Sequence, residues 1–456
     1  MRGLRSTIAL LVVLAGLSAY IYFVTWKTPA TDTATTLQKV FASLDAGKIE
    51  EVRITSESGD LTTLKKGGGV WEVASPISAK ADDATVSSLA SSLGSIEVSR
   101  VIDENPTDLA EYGLAAPRFG VEFKATGDTT YRSLLFGRTT PTGADVFAKR
   151  GDEKRVFLVA SYQEMTFNKS TFDLRDKALL AVDRAKVDGL EMLLAGKTVL
   201  QLAREGTNWN MTKPLQVRAD YGSVEGLIGR LQTAAMKSSV TDNASTADLK
   251  KYGLDKPTAE LNLMLGSAKA TLVLGAKTPG NTDNAYYARD TSKAAVVTVD
   301  AALVDEFRKS ANDYRRKDIF EFRAFNAERL EITRDGQSVV FERVKSQVKE
   351  KPDTWRRVSP NAGDVDTMKM ETFFAKIENT RASSFVASTA KTGLDKPFVT
   401  VVAKFEEAPS VMKDERITLG RVGEDTFALR PGEPGAAKIG STEFDDALKA
   451  LDEVSK

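Results

Sequence analysis

The chain contains no cysteine and no histidine. Disulfides, thiolate nucleophiles and zinc sites of the Cys/His kind are therefore excluded. Ser-His-Asp and Cys-His triads are excluded too, because the base is missing. Catalysis, if any, falls to carboxylates, Lys, Tyr or Ser. The absence of cysteine suits an envelope protein with no need of disulfide handling. There is also no net charge: Lys+Arg and Asp+Glu both total 63, so nothing draws the chain toward nucleic acid or an anionic surface. Aromatics make up only 8%, and no basic stripe interleaves with them, which argues against a nucleic-acid partner. No cofactor, metal or catalytic residue is read from this composition.

What is present is length and repetition. The 456 residues suggest roughly three domains of about 150 residues each. The chain opens with "MRGLRSTIALLVVLAGLSAYIYFVTWK", which carries no charge from Ser6 to Trp26. As a helix that stretch spans about 31 Å, close to the hydrocarbon thickness of a bilayer. Tyr20, Tyr22 and Trp26 gather at its far end, where amphipathic rings favour the headgroup layer. Arg2 and Arg5 favour a cytoplasmic N-terminus with the bulk of the chain outside. Residues 1–27 are read as a transmembrane or signal anchor. A cleaved signal peptide is the rival, although no A-x-A site closes the apolar run promptly. Residues 28–47 are read as a tether and first helix.

Beyond that point one pattern occurs three times. Trp71, Trp209 and Trp355 are each followed by Pro76, Pro214 and Pro360, then by Asp82, Asp220 and Asp366. Apolar residues follow each aspartate at +4, +7 and +11: Val86, Leu89 and Leu93; Val224, Leu227 and Leu231; Met370, Phe373 and Ile377. The spacing predicts a strand with a buried tryptophan, ended by proline. The aspartate then caps a helix whose apolar offsets share one face. The phrases "EYGLAAP", "KYGLDKP" and "KTGLDKP" come next, with Pro117, Pro257 and Pro397 separated by 140 residues both times. Gly113, Gly253 and Gly393 are placed where a left-handed residue ends a short helix. A Schellman ending pairs Leu114 with Leu109 and Leu254 with Leu249; the third copy has Thr392 and Thr389 instead and a weaker cap.

Strands follow, ending in "LLFG", "LVLG" and "ITLG" at Gly137, Gly275 and Gly420, then "VFAKR", "YYAR" and "TFALR". Copies one and two close in "LRDK" and "YRRK". Strands, helix, capped turn, strands, helix is an α+β pattern. The expected fold is an N-terminal transmembrane helix followed by three tandem α+β repeats with mostly antiparallel sheets, at 48–182, 183–322 and 323–456.

Each candidate site has a bland counterpart. "KKGGGVW" precedes a strand and lacks the P-loop pattern, so it reads as a hairpin turn; "GRTTPTG" and "GAKTPG" read as turns too. Triplication of Asp82, Asp220 and Asp366 argues for caps rather than catalysis. The adjacent carboxylates in "ADD" at 81–83 point apart on a helix. Arg175, Lys177, Arg315, Arg316 and Lys317 suit helix ends and carboxylates of a neighbouring unit; their functional rival is an anion-binding or partner-docking patch. Tyr112, Tyr252, Tyr286 and Tyr287 are read as packing rings, with sugar stacking as the alternative.

These marks together resemble the bacterial family called domain of unknown function 4340. The likeness covers the anchor, the W-x4-P-x5-D element, the YGL-x-x-P turn, the "LG" strand and the "LR-x-K" helix end. The resemblance implies membrane attachment and a place near ABC-type transport components of the gliding-motility kind; it supplies no catalytic residue. The expectation is a non-enzymatic envelope protein at the bacterial inner membrane, single-pass and mostly periplasmic, acting as scaffold or accessory subunit to a membrane-protein partner. A carbohydrate- or peptidoglycan-binding module and a carboxylate-dependent hydrolase are the alternatives.

Overall fold

A computed structural model describes residues 15–16, 38–280, 284–348 and 352–455. Apart from positions 15 and 16, the anchor read at 1–27 lies outside these residues. Among the described residues no helix is long and apolar enough to cross a membrane. The chain divides into two compact units, Met1–Lys177 and Ala178–Lys456. The first holds one nine-stranded antiparallel sheet and the second holds two. The α+β expectation therefore holds in its coarse form: three mostly-sheet repeats with helices.

In the first sheet the strands are β1 (Ile49–Thr55), β2 (Leu61–Gly67), β3 (Val70–Ser75), β4 (Ala79–Lys80), β5 (Arg100–Asp103), β6 (Phe119–Ala125), β7 (Arg132–Thr139), β8 (Asp145–Arg150) and β9 (Val156–Ala160). Their order is β4-β3-β2-β1-β6-β7-β8-β9-β5. The second and third sheets repeat this order strand for strand. The helix Asp83–Ser95 joins the two edge strands, β4 and β5, so the chain crosses the whole sheet in one step. Its buried residues, Val86, Leu89, Ala90 and Leu93, lie on the face predicted from spacing and join the sheet's core. Asp82 accepts from the backbone N–H of Thr85 at 2.8 Å, Asp220 from Ser223 at 2.8 Å, and Asp366 from Lys369 at 3.0 Å. Gly68 and Gly69 form the two-residue turn between β2 and β3 with φ of 59° and 89°, the left-handed values such a hairpin requires.

The three tryptophans occupy matching environments. Trp71 and Trp209 are 1% exposed and Trp355 is 8% exposed. Each carbonyl accepts from the residue ten positions on: Ala81, Ala219 and Val365. Each ring faces a cation on its cross-strand partner, Lys66, Arg204 or Arg343, at 5.4–6.0 Å. All three following prolines, Pro76, Pro214 and Pro360, have cis peptide bonds, a feature the spacing alone does not reveal.

The turn phrase and the "LG" strand, distant in the chain, meet in each copy. Gly113, Gly253 and Gly393 have φ of 69°, 69° and 68°. Leu114 and Leu254 donate to the carbonyls of Leu109 and Leu249, the six-to-one bond of a Schellman ending. The third copy, where a weaker cap is expected, has no helix before Gly393. A Cβ placed on Gly137, Gly275 or Gly420 would sit 2.1–2.3 Å from the carbonyl of Tyr112, Tyr252 or Thr392. Those glycines are therefore required by close backbone approach.

Residues ahead of the first strands contribute to the cores. Val40 and Phe41, read within a tether, are buried in the first core, and the helix there is the 3-10 turn Ala46–Lys48. The second compact unit begins at Ala178. Ile319 and Phe320 belong to the third core, ahead of 323. Short apolar groups ahead of the first and third sheets, Val40-Phe41 and Ile319-Phe320, pack in the core of the sheet that follows, and they are too short to show a helix or strand period.

Candidate functional site

The basic chain ends fold back as extended backbone. Arg175 bridges Ala81, with Asp82 N–H donating to Leu174 and Asp176 N–H to Lys80. Arg315 bridges Ala219 in the same way, with Asp220 donating to Tyr314 and Arg316 to Arg218. The returning segment covers the edge strand before each capped helix, which blunts an exposed sheet edge. Arg175 and Arg315 are 8% and 4% exposed, so neither presents its guanidinium on the surface. Arg316 and Lys177 are half-buried and Lys317 is exposed.

Within the second compact unit this fold-back assembles a charged cluster between the second and third sheets. Arg218 donates to Glu321 at 2.8 Å and to Glu433 at 2.7 Å. Arg315 stands 3.7 Å from Glu433, and its guanidinium stacks 3.8 Å over the Phe385 ring. Arg430 pairs with Glu415 and donates to the carbonyl of Ile319 at 2.9 Å. Glu415 is 3% exposed and also accepts the backbone N–H of Glu321 at 3.0 Å. Lys413 reaches Glu321 at 2.8 Å. Beside them Asp318 is shared by Arg316, Arg323 and Arg381 at 3.2–3.7 Å.

Burial raises the pKa of the Glu321 carboxyl, but the Lys413 hydrogen bond and the charges of Arg218 and Arg430 outweigh it and hold it at about 2. Burial pulls Arg218 down, and Glu433 and Glu321 more than restore it. Arg315 is left lowered: burial disfavours its charge and Arg218 repels it, with Glu433 only partly compensating. Chemically the cluster is an ion-pair lock. Its acids are committed to cations, and a carboxyl held at about 2 does not carry a proton near neutrality.

Part of this arrangement is a repeated device. A cation near the β8–β9 turn or its counterpart donates to the chain entering the same sheet: Arg150 to Val40, Lys293 to Leu179, Arg430 to Ile319. The third copy adds Glu433 in the loop "RPGEPG", which reaches back to Arg218 of the second copy. Sequence reading singled out Arg315 and Arg316 but not Arg218, Lys413, Arg430, Glu321, Glu415 or Glu433. Arg430 closes a recurring string, which was the available signal; Glu433 sits in a turn-like loop with no counterpart.

Two clefts flank this loop. One, of ≈ 640 Å³, is lined by Arg218, Glu321, Lys413, Arg430 and Glu433 with Glu205 and a mixture of polar and apolar residues from 203–217. The other, of ≈ 740 Å³, is lined by Lys391–Asp395, Val422, Leu429 and Glu433–Ala436. Here Thr392 and Ala436 stand where the second copy has Tyr252 and Val296, which are buried in a small apolar cluster. Of the tyrosines, Tyr252 is buried and Tyr112, Tyr286 and Tyr287 are half-buried. Tyr112 lies 5.3 Å from Phe147, Tyr252 lies 4.4 Å from Tyr287, and Tyr286 accepts a hydrogen bond from Arg308. Among the described residues no group of acidic side chains could hold a metal ion.

The model of one family, Domain of unknown function (DUF4340), matches residues 71–210 and 209–397, well over half of the chain. The chain belongs to the DUF4340 family. The DUF4340 matches begin on Trp71 and on Trp209, and the second runs past Trp355 to residue 397, so the matched frame straddles the sheets. The charged cluster lies partly beyond that frame, since Lys413, Glu415, Arg430 and Glu433 follow residue 397. No curated protein and no solved structure matches this DUF4340 chain.

Proposed function

We propose that this protein is a non-enzymatic, membrane-anchored extracytoplasmic scaffold or accessory subunit that docks a membrane-protein partner beside an ABC-type transporter. The observation carrying this reading is the use of the repeated residues. The tryptophans fill cores, the aspartates cap helices, and the glycines admit close backbone contacts. None of these thrice-repeated marks is left over for chemistry, and the buried Glu415 and half-buried Glu321 and Glu433 are paired with cations. Tandem repeats of one unit are well suited to docking roles. The anchor supports an inner-membrane, single-pass placement with most of the chain periplasmic. The sugar-binding alternative has less support: the rings of Tyr112, Tyr252 and Tyr287 pack on neighbouring rings, and the half-buried Tyr286 bonds to Arg308.

The test uses the full chain carrying a photo-crosslinking residue at Gln216 or Lys391, both exposed positions lining the two clefts. Irradiation in cells followed by purification should recover one polytopic membrane protein in covalent adducts. Recovery of no membrane protein from either position would count against the scaffold role.

A further inference from the structure

At the centre of the charged cluster lies a cavity of ≈ 20 Å³. That is room for one water-sized or chloride-sized body. Its lining includes four guanidinium groups, Arg218, Arg315, Arg316 and Arg430, against two carboxylates, Asp318 and Glu433. Both carboxylates are already committed. Asp318 is shared by three arginines, and Glu433 bonds Arg218 at 2.7 Å while standing 3.7 Å from Arg315. The buried Nε–H groups of Arg315 and Arg430 have no hydrogen-bond partner. Arg315, only 4% exposed, is thus a desolvated cation whose counter-charge is shared and distant.

We propose that this cavity binds a small monovalent inorganic anion, chloride in kind. Glu321 and Glu415, outside the lining, balance Arg218 and Arg430, but Arg315 has only Glu433, which it shares with Arg218. Guanidinium groups are donors only, so the unmet donors and the under-compensated charge centre on Arg315. Water would satisfy the donors but leave the charge. An anion meets both needs, and in a desolvated site each charge-assisted bond is stronger than its neutral counterpart. The anion would lock the returning end of the second repeat to the loop of the third, at the seam where Arg315 stacks on Phe385.

The full chain is melted in sodium chloride, bromide and gluconate at equal ionic strength. Chloride and bromide should raise Tm along a saturating curve, by roughly 3 °C at tenfold excess over Kd; gluconate, too large for the cavity, should not. Arg315→Lys keeps the charge but removes the Nε donor, and should weaken the halide response at least tenfold. Should that variant fail to fold, crystals of the unaltered protein grown in bromide decide the matter: an anomalous peak is expected between Arg315 and Arg430. Equal melting curves in the three salts, a linear effect common to all, or a cavity without an anomalous peak overturns the proposal.

Discussion

Glu321 offers a sharp test of the ion-pair lock. Its carboxyl is held at about 2 in the folded protein against an ordinary 4.5. A lowered folded pKa means that the charged form stabilises the fold, so the contribution is full above the unfolded value and is lost as pH falls through the folded one. A difference of about 2.5 units corresponds to about 3 kcal/mol near neutrality. At pH 3 most of the unfolded-state carboxyl is protonated, and about 1 kcal/mol remains. Glu321→Gln keeps the shape and removes the charge. The expected deficit of the variant is therefore about 3 kcal/mol at pH 7, shrinking by about 2 kcal/mol at pH 3. Urea unfolding of both proteins at pH 7, 5 and 3 reads this directly, and the difference between them cancels the other carboxylates. A deficit independent of pH would show that packing, rather than the charges of Lys413, Arg218 and Arg430, carries the effect, and the reasoning would fail.

Two further outcomes follow from the repeated backbone devices. Gly275→Ala places a Cβ 2.2 Å from the Tyr252 carbonyl and should destabilise by roughly 3 kcal/mol in thermal or urea unfolding, whereas Gly196→Ser, where φ is +76° and nothing lies within 4 Å, should lose only about 1 kcal/mol; equal losses would refute the close-approach account. Asp220→Ala removes the acceptor for the Ser223 N–H and should lose about 1 kcal/mol, with Asp220→Asn retaining most of it; unchanged unfolding of the alanine variant would remove the capping role.

Much of the fold was legible because its signals are local. An aspartate four residues before the first position of a helical apolar face needs only the helix to act as a cap, and Asp82, Asp220 and Asp366 all do so. A glycine that must adopt positive φ is marked by its neighbours, as in the three turn phrases. The unit boundaries were less legible. Groups such as Ile319-Phe320 carry no period, and only the third core shows where they pack. The candidate site was barely legible. Arg315 drew notice by its place in a repeated ending, yet its neighbours come from three separate stretches of chain.

The letters alone determined a triplicated module: the 140-residue spacing, buried tryptophans, capped helices and stop-and-turn phrases follow from propensities that act within a few residues. Tertiary structure alone decided which strands pair, why the glycine of each "LG" strand cannot be larger, and which charges meet. Arg218 and Glu433 lie 215 residues apart in the chain. Their attraction depends on distance and on exclusion of water, and both arise only when the second and third sheets are packed.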